Sequence, residues 1–399
     1  MEAQIGIVRA VAADRSRGPL WAAALLMGAL GTFHAWSVLV DPLQDALDVS
    51  RSTVSAVYAL ATAVFAASML LEPAAHRRLP AVTIGTGSAL LAAAGLAVCA
   101  VPATGAVFVG YGVLFAAANG LGYGLAVHIA ATTGRTGASA GLMVAAYAVG
   151  GSLVAPLLSL AARDAGPPTA FLGLAAVMLA VAVVQVVVLG PAERRLPRPA
   201  AGGAVRWAVL ARDRVFWLLW AGFLGGSAAG LVVIGHGAAI VEALGGGAAV
   251  LTLGASLAAA GNGVGRLGAG ALADRFSVRA ILVGGSVLAA VALLGLAAGP
   301  GPAVAAAGLA VSGIAYGVVA VAYPVAAARY YGAGHTTAVY ARIFTAWGLA
   351  GITAPVAAGA LFDATGGYGT ILVVLGAGSI LAALASAALP PAPVRPPEA

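Results

Sequence analysis

Residues 261–279 read Gly261-Asn262-Gly263-Val264-Gly265-Arg266-Leu267-Gly268-Ala269-Gly270-Ala271-Leu272-Ala273-Asp274-Arg275-Phe276-Ser277-Val278-Arg279. Up to Ala273 the stretch is small and apolar except for Asn262 and Arg266; from Asp274 it turns charged. A helix that leaves hydrocarbon and meets a basic surface has this form. Asn262 and Arg266, four residues apart, share one face of it. Gly263-Val-Gly265-Arg-Leu-Gly268 spells a dinucleotide fingerprint, but no strand precedes it and an apolar run contains it, so that reading is excluded. Arg266 is the only full charge deep inside an apolar run. It lies ~12 Å of helix from Asp274, and an arginine at mid-membrane costs ~2.5–3.5 kcal/mol on the insertion scale. Such a residue marks a site by default. Its planar fork suits a carboxylate, with Asn262 beside it to accept from the guanidinium or donate to a guest oxygen. The plainer alternative is that Arg266 snorkels toward the surface or joins the Asp274 network.

The whole chain agrees with this fragment. It has 399 residues, 62% hydrophobic, only 8% charged, with 56 Gly, and its mean hydropathy is +1.02. A soluble globule needs a polar exterior that this composition cannot supply. Soluble enzymes, disordered chains and disulfide scaffolds are thereby excluded. All 20 basic residues are Arg, so no Walker lysine or lysine Schiff base exists. Cys99 is the single cysteine. The pI near 10.0 does not point to nucleic acid, because the arginines sit in short loops rather than in one stripe.

The sequence predicts an all-α membrane protein of twelve transmembrane helices, since backbone groups in lipid must be satisfied within each segment. The spans are 20–40, 53–71, 81–101, 106–131, 138–161, 169–190, 215–237, 248–273, 280–298, 303–327, 339–361 and 370–389. Alternating ten-residue segments of a β-barrel are missing. The run from Leu20 ends in no small-residue cleavage site and reads as an uncleaved first span. With the N-terminus inside, seventeen arginines fall in inside loops, Arg51 and Arg163 fall outside, and Arg266 belongs to neither. The positive-inside rule then puts both termini in the cytoplasm of a multi-pass inner (plasma) membrane protein. The stretch 191–214 divides the chain into six-helix halves, 20–190 and 215–389, with tails 1–19 and 390–399. The halves repeat weakly. His76-Arg77 with Gly87-Ser88 matches Asp274-Arg275 with Gly285-Ser286 at an offset of 198, and Leu30-Gly31 matches Leu224-Gly225 at 194. Two such halves form the plan of many secondary transporters.

Gly270 to Arg279 resembles the loop signature between spans 8 and 9 of the major facilitator superfamily. The corresponding first-half loop, Glu72-Pro-Ala-Ala-His76-Arg77-Arg78, has His76 in place of the Asp. Shorter stretches resemble the monocarboxylate and oxalate–formate antiporter branch: Gly261 to Gly268, Asn119-Gly120-Leu-Gly122-Tyr123-Gly124, Asp48-Val-Ser-Arg51, and Tyr340 to Gly348 followed by Pro355. The resemblance implies a fold of two pseudo-symmetric halves, transport by alternating access, and a substrate carboxylate bound by Arg266. It also implies a gate at Gly270, Asp274, Arg275 and Arg279, with Arg77 in the first-half copy. Proton-coupled members carry an Asp where this chain has Asn262, which cannot carry a proton. The oxalate pattern has a lysine where Trp347 stands. One cation fits a monoanion such as lactate, pyruvate or formate.

Tyr123 and Tyr316 offer hydroxyls, and Phe33, Trp36 and Trp347 can complete an apolar box around Arg266; packing is the alternative for each. His34 and His236 are candidates for proton coupling, or are neutral buried histidines. His128 and His335 receive no role, and Glu72 is expected to pair with Arg77 or Arg78. The sequence thus predicts a small organic anion as partner, with protons or a counter-anion, in a monomer within the bilayer. It predicts no nucleic acid, cofactor, metal or enzymatic chemistry. Export of a lipophilic metabolite or drug is the rival, but neutral cargo gives no reason to keep an intramembrane cation. Gly-rich runs let helices approach, and Pro156, Pro324 and Pro355 can kink spans 5, 10 and 11.

Overall fold

Long apolar runs separated by capping residues give long helices. The computed structural model describes residues 18–132, 136–193, 196 and 205–392, and the following statements concern these residues. Arg135, Arg194, Arg195 and Arg198 of the topology count, most of both tails and part of the central stretch lie outside them.

Eleven helices are long and apolar enough to span a membrane: α1 (Gly18–Leu47), α2 (Ser52–Met69), α3 (Ala81–Cys99), α4 (Thr104–Ala131), α5 (Thr136–Asp164), α6 (Gly166–Ala192), α7 (Arg214–Ala243), α9 (Val278–Ala297), α10 (Pro302–Tyr331), α11 (Thr336–Thr365) and α12 (Gly369–Ala387). A twelfth long helix, α8 (Ala248–Ala273), is 26 residues long and carries Asn262 and Arg266. The architecture of the described residues is all-helical, as expected for spans that must satisfy their own backbone groups in lipid. Helix starts follow local chemistry: Ser50 accepts from Thr53 N–H at 3.2 Å, Asp213 from Val215 N–H at 2.8 Å, and Ser277 from Ala280 N–H at 3.2 Å. The α5–α6 turn needs Gly166, whose φ is +84°.

The chain divides into two compact units. The first comprises Met1–Gly134 with Ala146–Ala201; the second comprises Arg135–Ala145 with Gly202–Ala399. The opening turns of α5 therefore belong to the second unit and the rest of α5 to the first.

In the first unit two spans depart from regular α-helix. Gly31–Leu39 of α1 is a nine-residue 3₁₀ stretch, and Phe108–Phe115 of α4 is a π-helix. Both geometries are unusual at this length and mark functional segments in many proteins. They meet one another: Tyr111 O–H donates to the Phe33 carbonyl at 2.8 Å, and the Tyr111 ring stacks on Phe33 at 5.8 Å and contacts Trp36 at 4.2 Å. Gly31 packs directly on the Tyr147 backbone of α5, where a Cβ would collide.

In the second unit α8 and α10 cross backbone to backbone. A Cβ on Gly261, Gly265, Gly313 or Gly317 would run into the carbonyl oxygen of Ala310, Ile314, Ala258 or Asn262, respectively. Each helix contributes a glycine pair four residues apart, the small-xxx-small rule for close membrane helices. Gly263 and Gly268 of the same run meet nothing within 4 Å. Only half of the sequence run is therefore used in packing.

Candidate functional site

The second unit assembles a cluster around Arg266. The α8–α10 crossing holds the guanidinium. A Cβ on Gly317 would lie 2.8 Å from Arg266 N, so Tyr316 of α10 is carried next to α8 at this level. Arg266 is buried, 3% exposed. Its Nε–H donates to Asn262 Oδ1 at 2.8 Å, the i, i+4 contact predicted from the sequence. Its Nη1–H donates to the Val144 carbonyl at 2.5 Å, supplied by the opening turns of α5. Snorkelling to the surface is not the conformation adopted. No carboxylate among the described residues pairs with Arg266, and its Nη2 makes no hydrogen bond among them.

Two further predicted residues complete the cluster. Trp347 Nε1–H donates to Tyr316 Oη at 3.0 Å, and Arg266 acts electrostatically on that same hydroxyl. Phe344 stacks on Trp347 at 4.8 Å. Trp347 thus orients the Tyr316 hydroxyl. Arg266, Asn262, Tyr316 and Trp347 form one buried group: a planar cation with a free edge, one polarised hydroxyl and aromatic walls. Water exclusion strengthens such a cation toward an anion.

Phe33, His34 and Tyr123 belong to the first unit. Phe33 has no exposed surface; its ring sits among Tyr58, Phe65, Tyr111 and Phe115. Within the first unit Phe33 is therefore a packing centre, carried on the 3₁₀ stretch of α1. Trp36 is buried as well, with no partner for Nε1–H among the described residues. His34 is half-buried and shares a 3.3 Å hydrogen bond with the Tyr58 hydroxyl. Tyr123 packs edge-on against Tyr147. Tyr147 O–H donates to Asn119 Oδ1 at 2.8 Å, and Asn119 Nδ2–H donates to the Phe115 carbonyl at 3.0 Å. Sequence reasoning missed Tyr58, Tyr111 and Tyr147. Tyrosines inside apolar spans were the available signal.

His236, at the far end of α7, shares a 3.1 Å hydrogen bond with Tyr368. Burial pushes the Tyr368 hydroxyl above its ordinary range, and the Asp363 and Glu242 carboxylates reinforce the shift. His236 thus sits near the acidic residues predicted to face outside.

At the loop end, Asp274 accepts N–H groups from Gly137 at 2.9 Å and Ala138 at 3.0 Å, capping the start of α5 within the second unit. Gly270 makes this approach possible: a Cβ there would lie 2.8 Å from Gly137 O and Gly141 Cα. Arg329 reaches the Ala273 carbonyl at 3.4 Å. Arg275, Arg279 and Arg329 line a cavity of about 460 Å³ with Asp274. Arg77 is exposed. The expected pairing of Glu72 with Arg77 or Arg78 is corrected: Glu72 pairs with His76 at 3.1 Å, because both are buried while the two arginines point outward.

A carboxylate on a helix N-terminus is stabilised by the N–H groups and the dipole. Asp274→Ala is therefore expected to lower stability by ~1–2 kcal/mol, with Asp274→Asn in between. Thermal unfolding of the purified variants checks the order; equal stability of all three proteins rejects the cap.

Comparisons with known proteins agree with the fold. The sequence model described as Major Facilitator Superfamily matches residues 231–399. A solved structure of a proton:xylose symporter of that superfamily, bound to 6-bromo-6-deoxy-D-glucose, superposes with TM-score 0.77 at 15% identity, covering 93% of this chain and 95% of the other. The E. coli fucose:proton symporter superposes with TM-score 0.69 at 16% identity, covering 93% and 99%. No protein of curated function matches the sequence.

Proposed function

We propose that this chain, which folds as the major facilitator transporters do and carries that superfamily's sequence pattern in its second half, is a secondary transporter of a small organic monoanion. The cargo carboxylate binds Arg266. One observation carries the reading: a guanidinium buried to 3% exposure, held by Asn262 and Val144, has no carboxylate partner among the described residues and keeps one edge for a guest. Burying an unpaired cation is costly, and a bound anion removes the cost. Neutralisation then favours the occluded, switching state, since a ligand shifts a conformational equilibrium by its differential affinity for the two states. The Tyr316 hydroxyl, oriented by Trp347, donates to a second carboxylate oxygen. A single cation favours monocarboxylates such as lactate, pyruvate or formate over oxalate. His34 and His236 are the candidates for carrying a proton, and exchange against a counter-anion is the other mode. The protein sits in the plasma membrane with both termini cytoplasmic and works as a monomer.

A second reading, export of a lipophilic compound, draws on a cavity of about 550 Å³ between α1, α5 and α6 of the first unit, lined by small and aliphatic side chains with Thr32 and Thr169.

The test is uptake of labelled lactate, pyruvate, formate and oxalate into liposomes, with and without a pH gradient. The expected result is uptake of a monocarboxylate by the parent protein and none by Arg266→Gln. Uptake indifferent to that substitution, or no uptake of any acid, rejects the anion reading and turns attention to lipophilic cargo.

A further inference from the structure

We propose that Glu72, His76 and His128 form a proton-binding site at the loop end of the first unit, separate from the Arg266 cluster. The short helix Glu72–Arg78 follows α2 and packs against α4. Glu72 has no exposed surface, and His76 and His128 are each 3% exposed. Glu72 Oε1 and His76 Nδ1 share a 3.1 Å hydrogen bond. The His76 and His128 rings meet edge-on, centroids 4.3 Å apart. Glu72 Oε2 is buried with no hydrogen-bond partner among the described residues. Helix α4 makes room for the acid: a Cβ on Gly124 would lie 2.7 Å from Glu72 Cγ.

Among the described residues the charges around this group are few. On its own helix, Arg77 and Arg78 are exposed. From α4 comes His128 and no carboxylate or other cation. The nearby end of α2 offers Ser68 and Met69, and Ser68 O–H is spent on the Phe65 carbonyl. The start of α3 carries no ionisable side chain. Glu193, after α6, accepts the Val82 N–H at 3.2 Å. An ionised Glu72 beside a neutral His76 would leave a net negative charge buried with one oxygen bare, a state disfavoured in a dry interior. One proton on the pair removes that charge, whether it rests on the carboxyl or on the imidazole. His128 adjoins as the next base. Burial accordingly pushes the Glu72 carboxyl above its ordinary range, opposed by the His76 bond and the His76 and Arg77 charges.

The internal repeat sharpens the point. At the offset of 198, Glu72 corresponds to Gly270 and His76 to Asp274. In the second half these two positions make a close helix crossing and a helix cap. In the first half the same two positions hold an acid and an imidazole buried against one another. Structural mimicry of the other half does not require either group.

The chain contains five glutamates, Glu2, Glu72, Glu193, Glu242 and Glu398, so carboxyl-carbon labelling of glutamate in the full-length protein in lipid nanodiscs gives a readable spectrum. Glu72→Gln assigns the signal, with Glu72→Asp as the alternative if the amide does not fold. In the parent protein the Glu72 carboxyl is expected to bind its proton at least tenfold more tightly than the other four, ~1.4 kcal/mol. His76→Phe, which removes the opposing bond and charge, tightens it at least tenfold further. The sign for stability follows: a carboxyl that holds its proton better folded than unfolded contributes most at low pH, and that contribution is lost as pH rises through its folded titration. A Glu72 signal that titrates with the other glutamates overturns the proposal, as does indifference to His76→Phe. The measurement uses no cargo, so it stands or falls independently of the monoanion reading.

Discussion

Gly317→Ala and Gly265→Ala are expected to unfold or severely destabilise the protein, while Gly263→Ala and Gly268→Ala leave it intact. All four substitutions add one methyl group to an apolar helix, and in an isolated helix each would gain ~1 kcal/mol over glycine. The difference lies in what the methyl meets. At Gly317 it strikes the Asn262 carbonyl and lies 2.8 Å from Arg266 N; at Gly265 it strikes the Ile314 carbonyl. Backbone cannot rotate aside as a side chain can, so α8 and α10 must separate. Overpacking costs ~1–3 kcal/mol where side chains can shift, and these sites fall at or above the upper end. Separation also displaces Tyr316 from Arg266, so residual folded protein is expected to lose binding. At Gly263 and Gly268 nothing lies within 4 Å. Size-exclusion profiles and thermal unfolding of the four detergent-solubilised variants check the contrast. Equal behaviour of Gly317→Ala and Gly263→Ala would reject the crossing.

The second large effect concerns the shape of the cation rather than its charge. Arg266→Lys keeps the positive charge but loses the fork. The arginine directs Nε–H to Asn262 and Nη1–H to Val144, and this anchoring aims the remaining edge. An ammonium on a flexible stem cannot hold two fixed acceptors and still present two parallel donors to a carboxylate. A charge-assisted hydrogen bond is worth ~1.5–3 kcal/mol, so the lysine variant is expected to bind a monocarboxylate roughly tenfold to a hundredfold more weakly. Asn262→Ala, which frees Nε–H without touching the charge, is expected to weaken binding in the same direction by a smaller factor. Titration of both variants with the carboxylate identified by uptake measures this. Parent-like affinity in Arg266→Lys means that the site reads charge alone.

The spans were legible in the sequence because membrane insertion is a local requirement. Each segment must supply its own apolar length and satisfy its own backbone, so residues 248–273 could be read as one helix from their own composition. Arg266 stood out for the same reason, as the one charge in the wrong solvent, and its bond to Asn262 followed from helix periodicity. The bond to Val144 did not, nor did the Asp274 cap on Gly137 and Ala138, because those partners lie more than a hundred residues away. Sequence could count the glycines in α8 but not sort Gly261 and Gly265 from Gly263 and Gly268; only the position of α10 does that. The 3₁₀ and π stretches of α1 and α4 carry no sequence signal of their own and are seen only where Tyr111 ties one to the other. Glu72 shows the same division. From its neighbours alone, Arg77 and Arg78 are the obvious partners. The fold buries Glu72 with His76 and His128 and leaves the arginines outside, since a flexible cation can follow water and a buried acid cannot. Local solvent preference is written in the chain; which distant group meets which is decided when the helices pack.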